Sequence, residues 1–253
     1  MIIAFICIVL IFNTMETISI HRPKIVVIGS CNTDMVVKAN RLPVPGETIL
    51  GGTFYMNPGG KGANQAIAAA RLGAEVTFIS KIGYDLFGLQ ALEIYRSEKI
   101  NTEYIFTDQK SPSGVALISV DSFGENSIIV APGASRSLSI EDINKAEEKI
   151  KEADIILMQL EIPIDTVEYA ATIACKYGKK VILNPAPASS LSNSFLMNVH
   201  TILPNRIEAE MLSGIKVMNI ESAHRAAQAI GEKGIENVVI TLGKDGAYVK
   251  EKD

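Results

Sequence analysis

The apolar positions along the chain fall into two patterns. In the first, short β-branched runs end in glycine or in polar residues: 24–30, 75–80, 153–160, 180–183, 201–203 and 237–242. Runs this short and this continuously apolar predict strands of a parallel sheet covered on both faces. Between them lie segments of helical periodicity, at 63–72, 89–99, 141–152, 165–177, 208–212 and 222–233, several closed by a glycine such as Gly73, Gly178, Gly214 or Gly234. The alternation predicts an α/β fold with a mostly parallel central sheet and helices on both faces.

The second pattern interrupts the first. Residues 49–56, 113–120 and 126–130 are strand-like but do not alternate with helices, and the last two flank a turn at 121–125. They predict a small antiparallel sheet apart from the main one, with its strands within about 36–56 and 113–131. Such a sheet is a lid over a site, or an apolar face for dimerisation.

One stretch breaks both patterns. Asn57-Pro58-Gly59-Gly60-Lys61-Gly62-Ala63-Asn64-Gln65-Ala66 packs glycines just ahead of a helix. Glycine serves where backbone must turn with positive φ or approach another group closely. A helix N-terminus directly behind offers free N–H groups to anions and hydroxyl oxygens. A Walker-type loop is excluded, because Lys61 is followed by Gly62 and its leading glycine would have to be Tyr55. An ordinary turn and a hydroxyl-binding or sugar-binding turn remain, and the rest of the chain favours the latter.

Composition narrows the classes. A chain of 253 residues with 47% hydrophobic and 21% charged residues is globular, with length for one large domain plus a small appendage. The net charge of −4 and the scattered lysines and arginines argue against nucleic-acid binding. Cys7, Cys31 and Cys175 are too far apart for a disulfide framework or a zinc site, and His21, His200 and His224 are isolated. Residues 1–12 are almost wholly apolar. They are shorter than the ~20 residues of a membrane span and lack the flanks of a signal peptide. Residues 1–23 are therefore read as an extension, with Met15 the favoured start of translation.

Polar residues gather where the predicted strands stop: Asn32 and Asp34, Glu161, Asn184, Asn205 with Glu208, and Thr241. In a parallel sheet those ends share one edge, where ligands bind. Asp34 has lone pairs for two hydroxyls, and Asn32 both donates and accepts. Asn205-x-x-Glu208 reads either as a helix cap or as an oxygen-rich site for Mg²⁺, reached through water. The turn Thr241-Leu242-Gly243-Lys244-Asp245-Gly246 reads either as a phosphate-holding turn or as a plain hairpin.

Taken together, Asn32-Thr33-Asp34, the glycine turn 59–66, Met158-Gln159-Leu160-Glu161, Asn184-Pro185-Ala186-Pro187, Pro204-Asn205-Arg206-Ile207-Glu208-Ala209-Glu210 and Ile240-Thr241-Leu242-Gly243 resemble, in this order, the ribokinases of the ribokinase-like carbohydrate kinase family. The resemblance runs from Lys24 to the last residue. It implies a ribokinase-like fold with a β-sheet lid that also forms a homodimer contact. It implies ATP-dependent phosphorylation of D-ribose at its C5 hydroxyl, with Mg²⁺ and with K⁺ as activator. It implies a cytoplasmic protein without a stable membrane span. Carried over by motif, Asn32, Thr33, Asp34, Gly60, Lys61, Gly62, Ala63, Asn64 and Glu161 surround the sugar. Asn205 and the residues Thr241, Leu242, Gly243, Lys244, Asp245 and Gly246 line the ATP site, and Glu208 helps place Mg²⁺. The family's second signature, Asp-Thr-x-Gly-Ala-Gly-Asp, carries the general base and is not among these residues, so no catalytic residue is assigned and a C-terminally truncated fold is expected. The alternatives are an inactive sugar-binding remnant, and a kinase for another sugar or a nucleoside.

Overall fold

The computed structural model describes residues 22–252. In chain order the elements are β1 (Lys24–Ile28), β2 (Asn32–Lys38), β3 (Thr53–Gly59), α1 (Lys61–Arg71), β4 (Glu75–Gly83), α2 (Leu86–Ser97), β5 (Ile105–Asp108), β6 (Gly114–Val120), β7 (Asn126–Ala131), α3 (Ile140–Lys145), α4 (Glu147–Glu152), β8 (Ile155–Met158), α5 (Ile164–Lys176), β9 (Lys180–Leu183), α6 (Asn193–Leu196), β10 (Thr201–Ile202), α7 (Arg206–Ser213), α8 (Ile220–Gly231), β11 (Asn237–Thr241) and β12 (Ala247–Lys250). Residues 1–21, with the reading of the N-terminal extension and of Cys7 and His21, lie outside the described part.

The main sheet has eight strands in the order β12-β11-β10-β9-β8-β1-β4-β5, all parallel but for the antiparallel edge strand β12. Alternation along β1 explains why both faces are apolar. Val26 and Ile28 face one core, with α5 and α8 over it, and Ile25 and Val27 face the other, under α1. The chain runs outward from β1 through β4 to β5, then returns to β8 and builds in the opposite direction. The switch point is therefore the β1/β8 boundary, the place at the carboxyl ends of the strands where ligands bind in open α/β sheets. Glu161, just after β8, and the segment 29–34, just after β1, flank it.

The lid is a four-stranded sheet in the order β3-β2-β6-β7. It differs from expectation in three ways. β2 begins at Asn32 rather than near residue 36, so Asn32-Thr33-Asp34 belongs to a lid strand and not to a turn. β3 begins at Thr53 rather than residue 49, because Gly51 and Gly52 both take positive φ ahead of it, and it runs on to Gly59. The sheet is not wholly antiparallel: β2 and β6 run parallel. Both strands leave from the same edge of the main sheet, β2 just after β1 and β6 after Pro112, so both point outward.

Elsewhere the boundaries move for identifiable reasons. The segment 141–152 is two short helices meeting at Ala146. α2 starts at Leu86 rather than 89, because Asp85 caps it by accepting from the Gly88 N–H. α8 starts at Ile220 rather than 222, because Asn219 and Ser222 form a capping box. β5, α6 and β12 are short elements that the apolar pattern does not reveal.

Candidate active site

α1 starts almost in contact with the end of β1. Gly60, at φ 89°, turns the chain into the helix. Gly62 then lies so close to β1 that a Cβ there would stand 2.7 Å from the backbone atoms of Gly29 and Ser30. The Ala63 N–H donates to the Ser30 carbonyl at 2.9 Å, and the Ala63 side chain is fully buried in the core. Gly62 and Ala63 therefore serve close packing, while Asn64 is exposed on the first turn.

The carboxylate of Glu161 closes this junction. It accepts from the Lys61 N–H at 2.9 Å, from the Ser30 hydroxyl, and from the Lys61 ammonium at 2.9 Å. Burial alone would push its pKa up, but these hydrogen bonds and the ammonium charge hold it below the ordinary carboxylate value. The expectation that the helix N-terminus offers free N–H groups needs correction. Those of Lys61 and Ala63 are satisfied internally, by Glu161 and Ser30. Lys61 keeps two-fifths of its side chain exposed, so its ammonium still faces the crevice mouth.

Above this junction, Asn32 and Asp34 share one face of β2, and the Thr33 side chain lies on the opposite one. Glycines on the neighbouring strands make room for the polar pair. A Cβ at Gly59 on β3 would overlap the Asp34 carboxylate, and one at Gly114 on β6 would overlap the Asn32 amide. Asn32 is buried and its Oδ1 has no partner in the protein. Asp34 is half-buried, and its pKa is raised by burial and by the negative charge of Glu161, with Lys61 opposing. A buried acceptor without a donor and a carboxylate held above its ordinary pKa are what set this pair apart from an ordinary packed strand.

A second group lies further along the same sheet edge. Asn205 caps α7, and with Glu208 it forms a complete capping box: the Glu208 N–H donates to Asn205 Oδ1 at 2.9 Å, and the Asn205 N–H donates to the Glu208 carboxylate at 2.8 Å. The cap reading of this pair is therefore realised. Glu208 is buried, and burial raises its pKa, against the Asn205 N–H bond and the charge of Lys61. Lys61 is the one cation whose field acts on Asp34, Glu161 and Glu208 alike. Thr241 pairs with Asn205 through a parallel bridge, and its N–H donates to the Pro204 carbonyl at 2.9 Å. Gly243–Asp245 forms a one-turn 3₁₀ segment that links β11 to the antiparallel β12, so the hairpin reading is also realised in geometry. Leu242 is buried and contributes backbone only. Among the described residues, no group of three or more His, Cys, Asp or Glu could cage a metal ion alone.

Asn184 and the segment behind it support the site from below. The Asn184 amide donates to the Leu203 carbonyl at 2.9 Å, and the Ala186 carbonyl accepts from the Leu160 N–H at 2.9 Å, one residue before Glu161. Three contributors escaped sequence reasoning: Ser30, Gly114 and the pair Asp85–Ser113. Asp85 accepts from both the N–H and the hydroxyl of Ser113 at 2.7 Å and so ties the root of β6 to α2. An isolated glycine at a strand start was the available signal for Gly114.

The carboxyl ends of the strands thus carry two groups of polar residues, Asn32, Asp34, Lys61 and Glu161 at the root of the lid and Asn205, Glu208 and the turn 241–246 further along. Over residues 22–253 the chain matches the family model described as pfkB family carbohydrate kinase, and it belongs to that family. Within it, the chain is 46% identical to the ribokinase of Haemophilus influenzae over 231 residues, covering 91% of this chain and 76% of that one. It is 38% identical to the deoxyribokinase of Salmonella typhi, covering 90% and 75%. The solved structure of Arabidopsis thaliana ribokinase complexed with ribose and ATP superposes with a TM-score of 0.80 at 31% identity, covering 91% of this chain and 75% of that one. The fold is thus the ribokinase-like α/β fold, and the chain spans about three quarters of the length of these relatives.

The raised pKa of Asp34 has a measurable consequence. A carboxylate whose pKa is higher in the folded than in the unfolded state costs stability above the raised value and costs nothing below the ordinary carboxylate range. Asp34→Asn is therefore expected to raise the urea midpoint at pH 7, and the gain should shrink as pH falls through the raised pKa and vanish below about pH 3. A lower midpoint for the Asn variant at pH 7 would show instead that Asp34 is stabilised by Lys61.

Proposed function

We propose that this chain carries the sugar-binding and nucleotide-binding surfaces of a ribokinase, which transfers the terminal phosphate of ATP to the C5 hydroxyl of D-ribose. The observation that carries the reading is the polar pair on the lid, the buried Asn32 with its unpartnered Oδ1 and the half-buried Asp34 with its raised pKa, near the Lys61–Glu161 ion pair at the switch point of the sheet. Asp34 accepts hydroxyl hydrogens of the pentose, Asn32 donates and accepts, and Glu161 holds the Gly60-Lys61 turn against the sugar. Ribose enters before the lid closes over it, and closure excludes water from the transfer.

The nucleotide lies across the Asn205–Glu208 cap and the turn 241–246. Phosphoryl transfer depends on positioning and charge neutralisation more than on covalent chemistry. Mg²⁺ bound with ATP would neutralise phosphate charge. A single buried carboxylate, Glu208, suits an ion that keeps its water and shares phosphate oxygens, rather than an ion in a protein cage. K⁺ activation follows from the relationship to ribokinases, and no residue of this chain is assigned to it. The general base is likewise assigned to no residue here. ATP dependence fits a cytoplasmic location, and among the described residues no helix is long and apolar enough to cross a membrane.

The deoxyribokinase relative gives a second sugar reading, 2-deoxy-D-ribose. ADP release with Mg²⁺ and K⁺ tests both, with D-ribose, 2-deoxy-D-ribose, D-fructose and adenosine as competing substrates. A polypeptide of these 253 residues is compared with one extended by a segment bearing Asp-Thr-x-Gly-Ala-Gly-Asp. Turnover is expected only in the extended chain and fastest with D-ribose. Turnover by the 253 residues alone would mean that one of their own carboxylates acts as base.

The lid also supports a homodimer. Strand alternation puts Met35, Val37, Phe54, Met56, Leu117 and Ile129 on the face turned away from Asn32 and Asp34, and Phe54 and Ile129 are more than half exposed. An apolar patch of this kind marks an interface. Sedimentation should give a dimer for the wild type and a monomer for Ile129→Asp; a monomeric wild type would contradict the assignment.

A further inference from the structure

Arg206 is the first residue of α7, directly after the Asn205 cap. Its guanidinium reaches three acceptors on two other segments. Nη1 donates to the Val217 carbonyl at 3.3 Å, in the loop between α7 and α8. Nη2 donates to the Leu242 carbonyl at 3.2 Å and to the Asp245 carboxylate at 2.9 Å. Leu242 and Asp245 bracket the turn at Gly243, so one side chain holds both ends of it.

Little else holds that turn. A Cβ at Gly243 or Gly246 would meet no atom within 4 Å, so beyond the buried Leu242 the turn 243–246 stands open to solvent. Its own hydrogen bonds include a good closing bond, Leu242 N–H to Gly246 carbonyl at 2.8 Å, and two longer ones, Gly246 N–H to Gly243 carbonyl at 3.2 Å and Asp245 N–H to Leu242 carbonyl at 3.4 Å. A turn with open surroundings and two positive-φ glycines, Gly243 and Gly246, has many alternative conformations. A fork of donors fixed at both ends removes them. The arrangement suits arginine and not lysine, since an ammonium is a point charge on a flexible stem and cannot reach this spread of acceptors in a fixed geometry.

We propose that Arg206 is the positioning residue of the nucleotide turn. It couples the turn 242–246 to the Asn205–Glu208 cap and neutralises the Asp245 carboxylate, which would otherwise repel the phosphates of a nucleoside triphosphate. This rests on the reading of the turn as a nucleotide site. Asp245 thereby changes role from the expected one: its carboxylate is engaged by Arg206 rather than free for the nucleotide.

The test combines amide hydrogen exchange over residues 242–246 with dissociation constants for ATP·Mg²⁺ and for D-ribose. It is run on the full chain, on Arg206→Lys, on Arg206→Gln, and on the charge-swapped double variant Arg206→Asp with Asp245→Arg. Both single variants should exchange faster at the turn and bind ATP about two- to fivefold more weakly, as expected for one partly exposed ion pair. D-ribose binding should not change, and the swapped pair should recover protection and affinity together. Unchanged exchange in Arg206→Gln, or equal loss of ATP and ribose affinity, overturns the proposal. A wild-type chain that protects the turn but binds no ATP overturns the nucleotide reading itself, and the exchange data separate that failure from a failure of the Arg206 contacts.

Discussion

One carboxylate holds the crevice together. Glu161 stands at the end of β8 and takes hydrogen bonds from Ser30, at the end of β1, and from both the backbone and the ammonium of Lys61, at the start of α1. It joins the two strands on either side of the switch point to the helix that emerges between them. The arrangement is possible only because Gly62 brings α1 into backbone contact with β1; a methyl group there would push the helix, and Lys61 with it, away from Glu161. Glu161 is part-buried, and removing it leaves the Ser30 hydroxyl and the Lys61 N–H without their acceptor, at a cost of about 1–3 kcal/mol.

The same junction sets the electrostatics above it. Burial and the charge of Glu161 both disfavour a negative charge at Asp34, and Lys61 only partly offsets them, so the lid carries a carboxylate at some expense of stability. That cost is characteristic of a binding group kept without a protein partner. The lid frame tolerates it because β2 is paired along its whole length on both sides, with β3 and with β6. Roots at Ser30–Asn32 and at Ser113–Gly114, the second fastened by Asp85, fix the lid where it leaves the main sheet and leave its far end free.

Much of this was legible in the residues. The apolar runs identified the core strands β1, β4, β8, β9, β10 and β11, because a strand buried on both faces must be apolar throughout. The polar strand ends identified Asn32, Asp34, Glu161 and Glu208, because parallel strands bring their ends to one edge. What was not legible depends on three-dimensional pairing. Asn32-Thr33-Asp34 reads as the polar end of β1, ahead of a lid placed from about residue 36, yet it is the start of a lid strand once β3 and β6 lie beside it. Gly114 gains meaning only when the Asn32 amide lies over it, and Arg206 only when the turn 242–246 comes within reach. Asn205–Glu208 is the opposite case: spacing offers a cap as one of two readings, and the structure contains both of its reciprocal bonds.

The central claim is that the Asn32–Asp34 cradle above the Lys61–Glu161 pair holds a pentose. Calorimetric titration of D-ribose into the folded chain without nucleotide, beside the Asp34→Asn variant, tests it most directly. The account predicts saturable binding to the wild type and loss of that binding in a variant that is folded and no less stable at pH 7. Equal affinity in the two, or no heat from a folded wild type, would contradict it.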